Sequence, residues 1–239
     1  MARSIYIASP NAGTGKSTVA LGLVSCLTKV VAKVGVFRPF VEDRKGDAFL
    51  SLLLNRAGST TPAEQCVGAT WDEFHADPEE ALARIVDAYR ALAREHDVVI
   101  IDGSDFTDVA GNPELALNAR VAANIGVPVL LVVSGQNDVE DVVASVEVSM
   151  AEIADNHART VAVVANKCLP ETRQAVGEAL TAIEGITSTT LPEVPLLAAP
   201  VVREVLDAVE GTLIAGDETL LDREAESVLV CAMDVSHVL

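Results

Sequence analysis

A glycine-rich turn near the N-terminus constrains this chain more than any other feature. The segment 9–18, SPNAGTGKST, follows the apolar run 5–8 and precedes a helix-like apolar pattern that begins at Val19. A strand, a glycine-rich turn and a helix in this order predict a loop whose backbone N–H groups surround phosphate oxygens. Pro10 replaces the first glycine of the strict pattern. A turn that keeps this shape without binding phosphate therefore stays open as an alternative.

The loop predicts a site for ATP and Mg²⁺. A lysine at position 16 can reach the β- and γ-phosphates, and the hydroxyl of residue 17 can ligate Mg²⁺. The expected cofactor-binding residues of the loop are Asn11, Ala12, Gly13, Thr14, Gly15, Lys16, Ser17 and Thr18. No Ser-His-Asp or Cys-His arrangement is recognisable, so no catalytic residue is assigned.

Composition limits the classes of partner. The chain has 239 residues, 50% of them hydrophobic, and a net charge of −18. Its length suits one large domain, or one domain and part of another. The acidity argues against nucleic acids and anionic membranes, because these require basic patches. Four isolated cysteines, no signal peptide and no long apolar run predict a cytoplasmic protein.

Apolar runs typical of buried strands alternate with helical patterns along the chain. The expected strands are 5–8, 34–37, 98–101, 127–133 and 161–165, and the expected helices include 19–27, 48–54, 82–92, 139–153 and 176–183. Asp77-Pro78 and Asn112-Pro113 are helix starts, since a capping side chain precedes a proline in the first turn. This alternation predicts an α/β fold of P-loop type, with a mostly parallel sheet and helices on both faces.

The C-terminal part of the sequence predicts a domain boundary. Residues 1–215 are expected to form the nucleotide-binding domain, and residues 216–239 a linker and the truncated start of a following domain. Residues 227–232 have the pattern of a new strand, and a strand with a short stub cannot form a core alone. We therefore expect the natural protein to continue, with the rest of its own polypeptide as a partner, and to form homo-oligomers.

Four polar residues outside the loop lie where strands or turns are expected to end. Asp102 follows a buried apolar run, the Walker B arrangement for Mg²⁺, with a turn cap as the alternative. Asp47 is either a further Mg²⁺ ligand beside Ser17 or the cap of the next helix. Arg38 either faces the phosphates or forms a surface ion pair. Asn166 either hydrogen-bonds a purine edge or is a turn residue.

These motifs, in this order, resemble those of dethiobiotin synthetase. The quoted segments are the loop, Phe37-Arg38-Pro39, Gly46-Asp47-Ala48, Ile101-Asp102-Gly103 and Ala165-Asn166-Lys167. This resemblance implies that the asparagine binds adenine. The segments 17–23, 33–39 and 227–232 look more like the N-terminal domain of long-form phosphate acetyltransferase, and the tail 237–239 looks like the opening of that family's middle domain. In that family, a separate C-terminal domain transfers acetyl between CoA and phosphate.

The resemblance implies a nucleotide-binding domain with a regulatory or assembly role in phosphate acetyltransferase. An ATP-dependent ligase similar to dethiobiotin synthetase or cobyrinic acid a,c-diamide synthase stays open, as does a pure interaction module. Arg38 replaces the lysine of dethiobiotin synthetase, and Ser104-Asp105-Phe106 replaces its glycine-rich turn. The extra acid would repel a carboxylate substrate, and both departures argue against dethiobiotin synthesis. Asn11 stands where partitioning ATPases carry an extra lysine, which argues against a cross-dimer ATPase of that type.

Overall fold

The computed structural model describes residues 2–44, 46–104 and 114–225. Its strands are β1 (Arg3–Ala8), β2 (Val34–Val41), β3 (Val67–Thr70), β4 (Val98–Asp102), β5 (Val129–Ser134), β6 (Thr160–Cys168) and β7 (Thr187–Pro192). Its helices are α1 (Lys16–Leu27), α2 (Ala48–Ala57), α3 (Trp71–Ala76), α4 (Pro78–Glu95), α5 (Glu114–Ile125), α6 (Val139–Asp155), α7 (Arg173–Thr181) and α8 (Val202–Ala208). Short 3₁₀ turns cover Ala63–Cys66, Pro195–Ala198 and Glu218–Asp222.

The seven strands form one sheet in the order β3-β2-β4-β1-β5-β6-β7. Every pairing in this sheet is parallel. The central strands β4 and β5 are continuous apolar runs, and residues 99–102 and 129–133 are fully buried. A parallel strand that is covered on both faces needs such a run. The structure therefore confirms the predicted α/β fold.

Helices cover both faces of the sheet. The connections β1-α1-β2 and β2-α2-β3 run toward one edge, and the later connections run toward the other edge. Because parallel crossovers are right-handed, α1 and α2 lie on one face and α4 to α7 on the other. The helix contacts agree, since α1 packs on α2, whereas α4, α5, α6 and α7 pack on one another in series.

Local capping explains where several helices begin. The Asp77 side chain accepts hydrogen bonds from the N–H groups of Glu79 and Glu80, at 3.1 and 3.0 Å, and Pro78 opens α4. The predicted start of this helix is thus confirmed. Before α3, Thr70 and Glu73 form a reciprocal capping box.

The chain divides into two compact units, Met1–Pro192 and Glu193–Leu239. In the second unit, α8 packs on the 3₁₀ turn Glu218–Asp222, and Arg203 forms an ion pair with Asp222 at 3.0 Å. The first unit contains the whole sheet. The division predicted from the sequence, between residues 215 and 216, stays a prediction.

Some sequence expectations lie outside the described residues. They are the strand 227–232, the helix start Asn112-Pro113 and the residues Asp105 and Phe106. Among the described residues, no helix is both long enough and apolar enough to cross a membrane.

Candidate functional site

The glycine-rich turn joins the end of β1 to the start of α1, as expected. Gly13 and Gly15 have φ values of +76° and +81°, a left-handed conformation that favours glycine. Asn11, Ala12 and Thr18 are exposed, Ser17 is half-buried and Thr14 is buried. The N–H groups of Ser17 and Thr18 lie in the first turn of α1, where no intrahelical acceptor exists. The loop therefore presents donors at a helix N-terminus despite Pro10.

The topology brings Asp102, the predicted Walker B residue, under this loop. β1 pairs with β4 on one side and β5 on the other, and Asp102 lies opposite Ile7 in the parallel register. The chain leaves β1 toward β2 and later returns to β5, so the strand order reverses at β1. In open parallel sheets, ligands bind at the carboxyl ends of strands beside such a reversal.

Lys16 and Asp102 form a buried ion pair. Nζ of Lys16 lies 2.9 Å from Oδ1 of Asp102, and the two side chains are 1% and 0% exposed. The same ammonium donates a hydrogen bond to the carbonyl of Gly103. Oδ2 of Asp102 is buried and accepts no hydrogen bond from the described residues. This oxygen instead faces the guanidinium of Arg38, whose Nε lies 3.6 Å away.

Arg38 and Asp47 extend this pair into an alternating row of charges. Nε of Arg38 lies 3.6 Å from Oδ2 of Asp102, and Nη1 donates to Oδ2 of Asp47. Oδ1 of Asp47 accepts the N–H of Leu50 at 2.8 Å at the start of α2. The helix-cap interpretation of Asp47 is therefore confirmed. A metal role for Asp47 stays a prediction, and it would require Arg38 to release Oδ2.

Asn166 and Lys167 contact the loop from the carboxyl end of β6. Nδ2 of Asn166 donates to the carbonyl of Thr14 at 2.8 Å. Nζ of Lys167 donates to the carbonyl of Gly13 at 2.8 Å. The structure thus brings the predicted residue Asn166 to the loop, and it adds Lys167, which sequence reasoning did not assign to the site.

A buried polar cluster behind Asp102 was also missed from the sequence. The Tyr6 hydroxyl donates to Oδ1 of Asn118 at 2.6 Å, and the N–H of Ser104 donates to the same oxygen at 3.1 Å. Burial, and then the negative charge of Asp102, raise the pKa of Tyr6 well above its ordinary value. An asparagine within the apolar pattern of α5 was the available signal, because buried amides are normally paired.

The AAA_26 family model, described as "AAA domain", matches residues 3–205. The chain belongs to the AAA_26 family. The match covers the sheet, the glycine-rich loop and every residue of the candidate site described above.

Relatives of this AAA_26 chain support the resemblance seen in the motifs. It is 26% identical over 251 residues to phosphate acetyltransferase of Synechocystis sp., a match that covers 100% of this chain and 36% of that protein. It is 28% identical over 201 residues to hydrogenobyrinate a,c-diamide synthase of Streptomyces coelicolor, covering 82% of this chain and 37% of that protein. The chain thus spans about a third of the length of these curated relatives.

Solved structures share the fold. A plasmid partition protein of Borrelia burgdorferi has a TM-score of 0.57 at 14% identity, covering 92% of this chain and 94% of that chain. MinD of Aquifex aeolicus has a TM-score of 0.54 at 17% identity, covering 82% and 84%. The P-loop type of the AAA_26 fold is therefore confirmed, and these distant likenesses carry no further conclusion.

The donor set of this AAA_26 site fits one Mg²⁺ beside a phosphate. Ser17 offers a half-buried hydroxyl, and Asp102 offers the oxygen Oδ2, which has no hydrogen-bond donor among the described residues. Hydroxyl and carboxylate oxygens, completed by phosphate oxygens and water, are the ligands that Mg²⁺ prefers. The described residues contain no group of three or more His, Cys, Asp or Glu side chains that could hold a metal ion unaided. The fit is thus to a metal–nucleotide complex.

Proposed function

We propose that this chain is a domain that binds ATP with Mg²⁺ and regulates or assembles a phosphate acetyltransferase. That enzyme interconverts acetyl-CoA plus phosphate and acetyl phosphate plus CoA. One observation carries the nucleotide part of the proposal. The phosphate-binding lysine, Lys16, lies buried against Asp102 directly beside the glycine-rich loop.

Binding of a triphosphate would require only a local change at Lys16. Its ammonium donates to the carboxylate of Asp102 and to the carbonyl of Gly103. An ammonium has three donors on a flexible stem, so it can keep the carboxylate and exchange the carbonyl for a phosphate oxygen. The N-terminus of α1 supplies the remaining donors and a partial positive charge.

The metal would lie between the phosphates and two protein oxygens. We assign the hydroxyl of Ser17 and Oδ2 of Asp102 as its ligands, with Asp47 as an outer candidate. Bound Mg²⁺ would supply positive charge that neutralises the phosphate oxygens. The proposed nucleotide-binding residues are Asn11, Ala12, Gly13, Thr14, Gly15, Lys16, Ser17, Thr18, Arg38 and Asn166.

The role in phosphate acetyltransferase rests on the relatives. The match to the Synechocystis protein covers 100% of this chain and 36% of that relative, so most of the relative lies outside the match. We propose that acetyl transfer is carried out there, in a cytoplasmic homo-oligomer. A net charge of −18 disfavours nucleic acids and anionic membranes as partners. Within the chain, we retain residues 1–215 as the nucleotide domain and 216–239 as the linker and start of the next domain.

A second candidate is a ligase that activates a carboxylate with ATP. The similarity to hydrogenobyrinate a,c-diamide synthase supports it. The charges that line the cavity beside the proposed nucleotide site disfavour a ligase with a carboxylate substrate. This cavity of about 280 Å³ has one described cation, Arg38, and three acids, Glu42, Asp43 and Asp47, in its lining. Three acids would repel a carboxylate substrate.

Calorimetry tests nucleotide binding directly. We expect the isolated chain to bind ATP with Mg²⁺ at micromolar to millimolar strength, roughly 4 to 8 kcal/mol. Lys16→Met should weaken binding sharply, because the triphosphate loses its positioned cation. Lys29→Met is the matched control, since Lys29 is exposed just beyond the end of α1. A wild-type chain that binds no ATP at millimolar concentration would contradict the proposal, and Pro10 would then be the suspected cause.

A further inference from the structure

Two neighbouring side chains at the end of β6 bind carbonyl groups of the glycine-rich loop. Asn166 reaches the carbonyl of Thr14, and Lys167 reaches that of Gly13, each at 2.8 Å. Asn166 is 9% exposed, so its hydrogen bond is shielded from water. These contacts join the carboxyl end of β6 to the glycine-rich loop.

The geometry fixes how the Asn166 amide is oriented. The carbonyl of Thr14 can only accept a hydrogen bond, so the NH₂ group of Asn166 must face it. Gly15 shows how closely the loop approaches this amide. A Cβ atom added at Gly15 would lie 2.3 Å from Nδ2 of Asn166. A side chain at this position would have to displace the Asn166 amide, and the φ of +81° favours glycine independently.

Lys167 adopts a backbone conformation that normally disfavours a side chain. Its φ is +60°, in the left-handed region that non-glycine residues rarely occupy. Such a conformation costs free energy and persists where the surroundings determine it. The hydrogen bond from Nζ to the carbonyl of Gly13 is a contact that offsets this cost.

We propose that Asn166 and Lys167 are positioning residues that hold the loop ready for phosphate before nucleotide binds. A peptide unit is planar and trans, so its C=O and N–H groups point in opposite directions. When Lys167 holds the carbonyl of Gly13, the N–H of Thr14 is turned away from β6. When Asn166 holds the carbonyl of Thr14, the N–H of Gly15 is turned likewise.

This inference rests on the proposed function and changes the expected role of Asn166. The family resemblance implies contact with adenine, whereas the structure places the amide on the loop backbone. The two roles predict different losses. A residue that reads the base matters for ATP and leaves inorganic tripolyphosphate unaffected. A residue that positions the loop matters equally for both ligands.

Hydrogen exchange of the ligand-free chain tests the loop contacts alone. We expect Asn166→Ala and Lys167→Met each to accelerate amide exchange about tenfold in the peptide covering residues 9–18, the effect of losing one hydrogen bond. Asn156→Ala is the matched asparagine control, since its Nδ2 donates to the Glu152 carbonyl at the end of α6. Lys29→Met is the lysine control. Unchanged exchange in both test variants would overturn the proposal.

Binding of Mg²⁺–tripolyphosphate and Mg²⁺–ATP then separates the two roles. We expect Asn166→Ala to weaken both ligands by a similar factor, about tenfold. Lys167→Met should weaken the binding of both ligands in the same way. If Asn166→Ala does not fold, the binding data for Lys167→Met test the positioning role. A loss of ATP binding with tripolyphosphate unchanged would overturn the positioning role. A wild-type chain that binds neither ligand would contradict the proposed function, while the exchange data still support or overturn the loop contacts.

Discussion

The Lys16 ammonium donates to the carboxylate of Asp102 and to the carbonyl of Gly103. The sequence predicts both ionisable residues from the motif and from the buried run before Asp102. It does not predict that they pair, because pairing depends on β4 lying between β2 and β1 in the sheet. The same limit applies to Arg38 and Asp47, whose contact joins β2 to the start of α2. β2 runs to Val41, so Arg38 lies within the strand and not, as the sequence predicted, at its end.

The buried pair makes a prediction about stability. Removing one partner of such a pair costs about 3–5 kcal/mol, because a charge is left buried without compensation. We expect Asp102→Asn and Lys16→Met each to lower the free energy of unfolding measured in urea. Arg38, 3.6 Å from Asp102, should reduce the loss in the lysine variant.

The double variant Lys16→Met/Asp102→Asn checks that the pair itself is responsible. Its loss in the free energy of unfolding should be clearly smaller than the sum of the losses in the two single variants, since neither charge of the pair remains. Additive losses would mean that the two side chains stabilise the protein independently.

Gly103 gives a second prediction at the residue scale. A Cβ at this position would lie 2.6 Å from the carbonyl oxygen of Ile7 and 2.7 Å from Oδ1 of Asn118. Both neighbours are buried, so we expect Gly103→Ala to destabilise the protein by about 1–3 kcal/mol. Gly22→Ala is the control of opposite sign. Gly22 lies within α1 with open space at its Cβ position, and alanine should stabilise that helix by up to about 1 kcal/mol.

Thermal or urea unfolding of the two glycine variants measures this contrast. The expected result is a lower midpoint for Gly103→Ala and an equal or higher midpoint for Gly22→Ala. Equal effects in the two variants would show that the turn after β4 can move to accept a side chain.

Some strands and helices of the structure can be predicted from the sequence, and others cannot. Buried strands such as β5 are continuous apolar runs, and their prediction is confirmed. β7 was not predicted, because this edge strand is a mostly exposed polar segment without the apolar run or alternation that predicts a buried strand. β3 and α3 were not predicted either. β3 has only four residues, and α3 is a six-residue helix with no buried residue.

The start of α3 provides a pH prediction. The hydrogen bond from the Thr70 N–H, followed by the contact with Arg44, lowers the pKa of Glu73. A carboxylate whose pKa is lower in the folded state stabilises the protein at pH values above its ordinary pKa, about 4.5. That contribution is lost as the pH falls through the lower, folded-state pKa.

In Glu73→Gln, the free energy of unfolding should therefore fall less than in wild type as the pH is lowered. We expect wild type to exceed the variant in stability near pH 6, and the difference to shrink steadily in more acidic solution. Urea unfolding at several pH values measures it. Glu147→Gln is the control, because Glu147 is exposed on α6. A difference between wild type and Glu73→Gln that stays constant with pH would contradict the assigned contacts.

For the whole molecule, the family and the fold follow from the motifs, whereas the biological role depends on what the domain is joined to. The chain matches 36% of the Synechocystis phosphate acetyltransferase, and the AAA_26 family model matches residues 3–205. A nucleotide can regulate such an enzyme only if it binds two states of the protein with different affinities. The coupling must then disappear when the nucleotide site is disabled.

We therefore expect the isolated chain to make no acetyl phosphate from acetyl-CoA and phosphate, and the longer parent protein to respond to ATP. The comparison is the transferase rate and the oligomeric state of the parent, with and without ATP, for wild type and Lys16→Met. ATP should change the wild type and the control Lys29→Met, and it should leave Lys16→Met unchanged. If ATP changes neither the transferase rate nor the oligomeric state of wild type, the domain is not a nucleotide-driven regulator. The hypothesis of a pure interaction module is then favoured. If the isolated chain instead consumes ATP with a carboxylate substrate, the ligase alternative is correct.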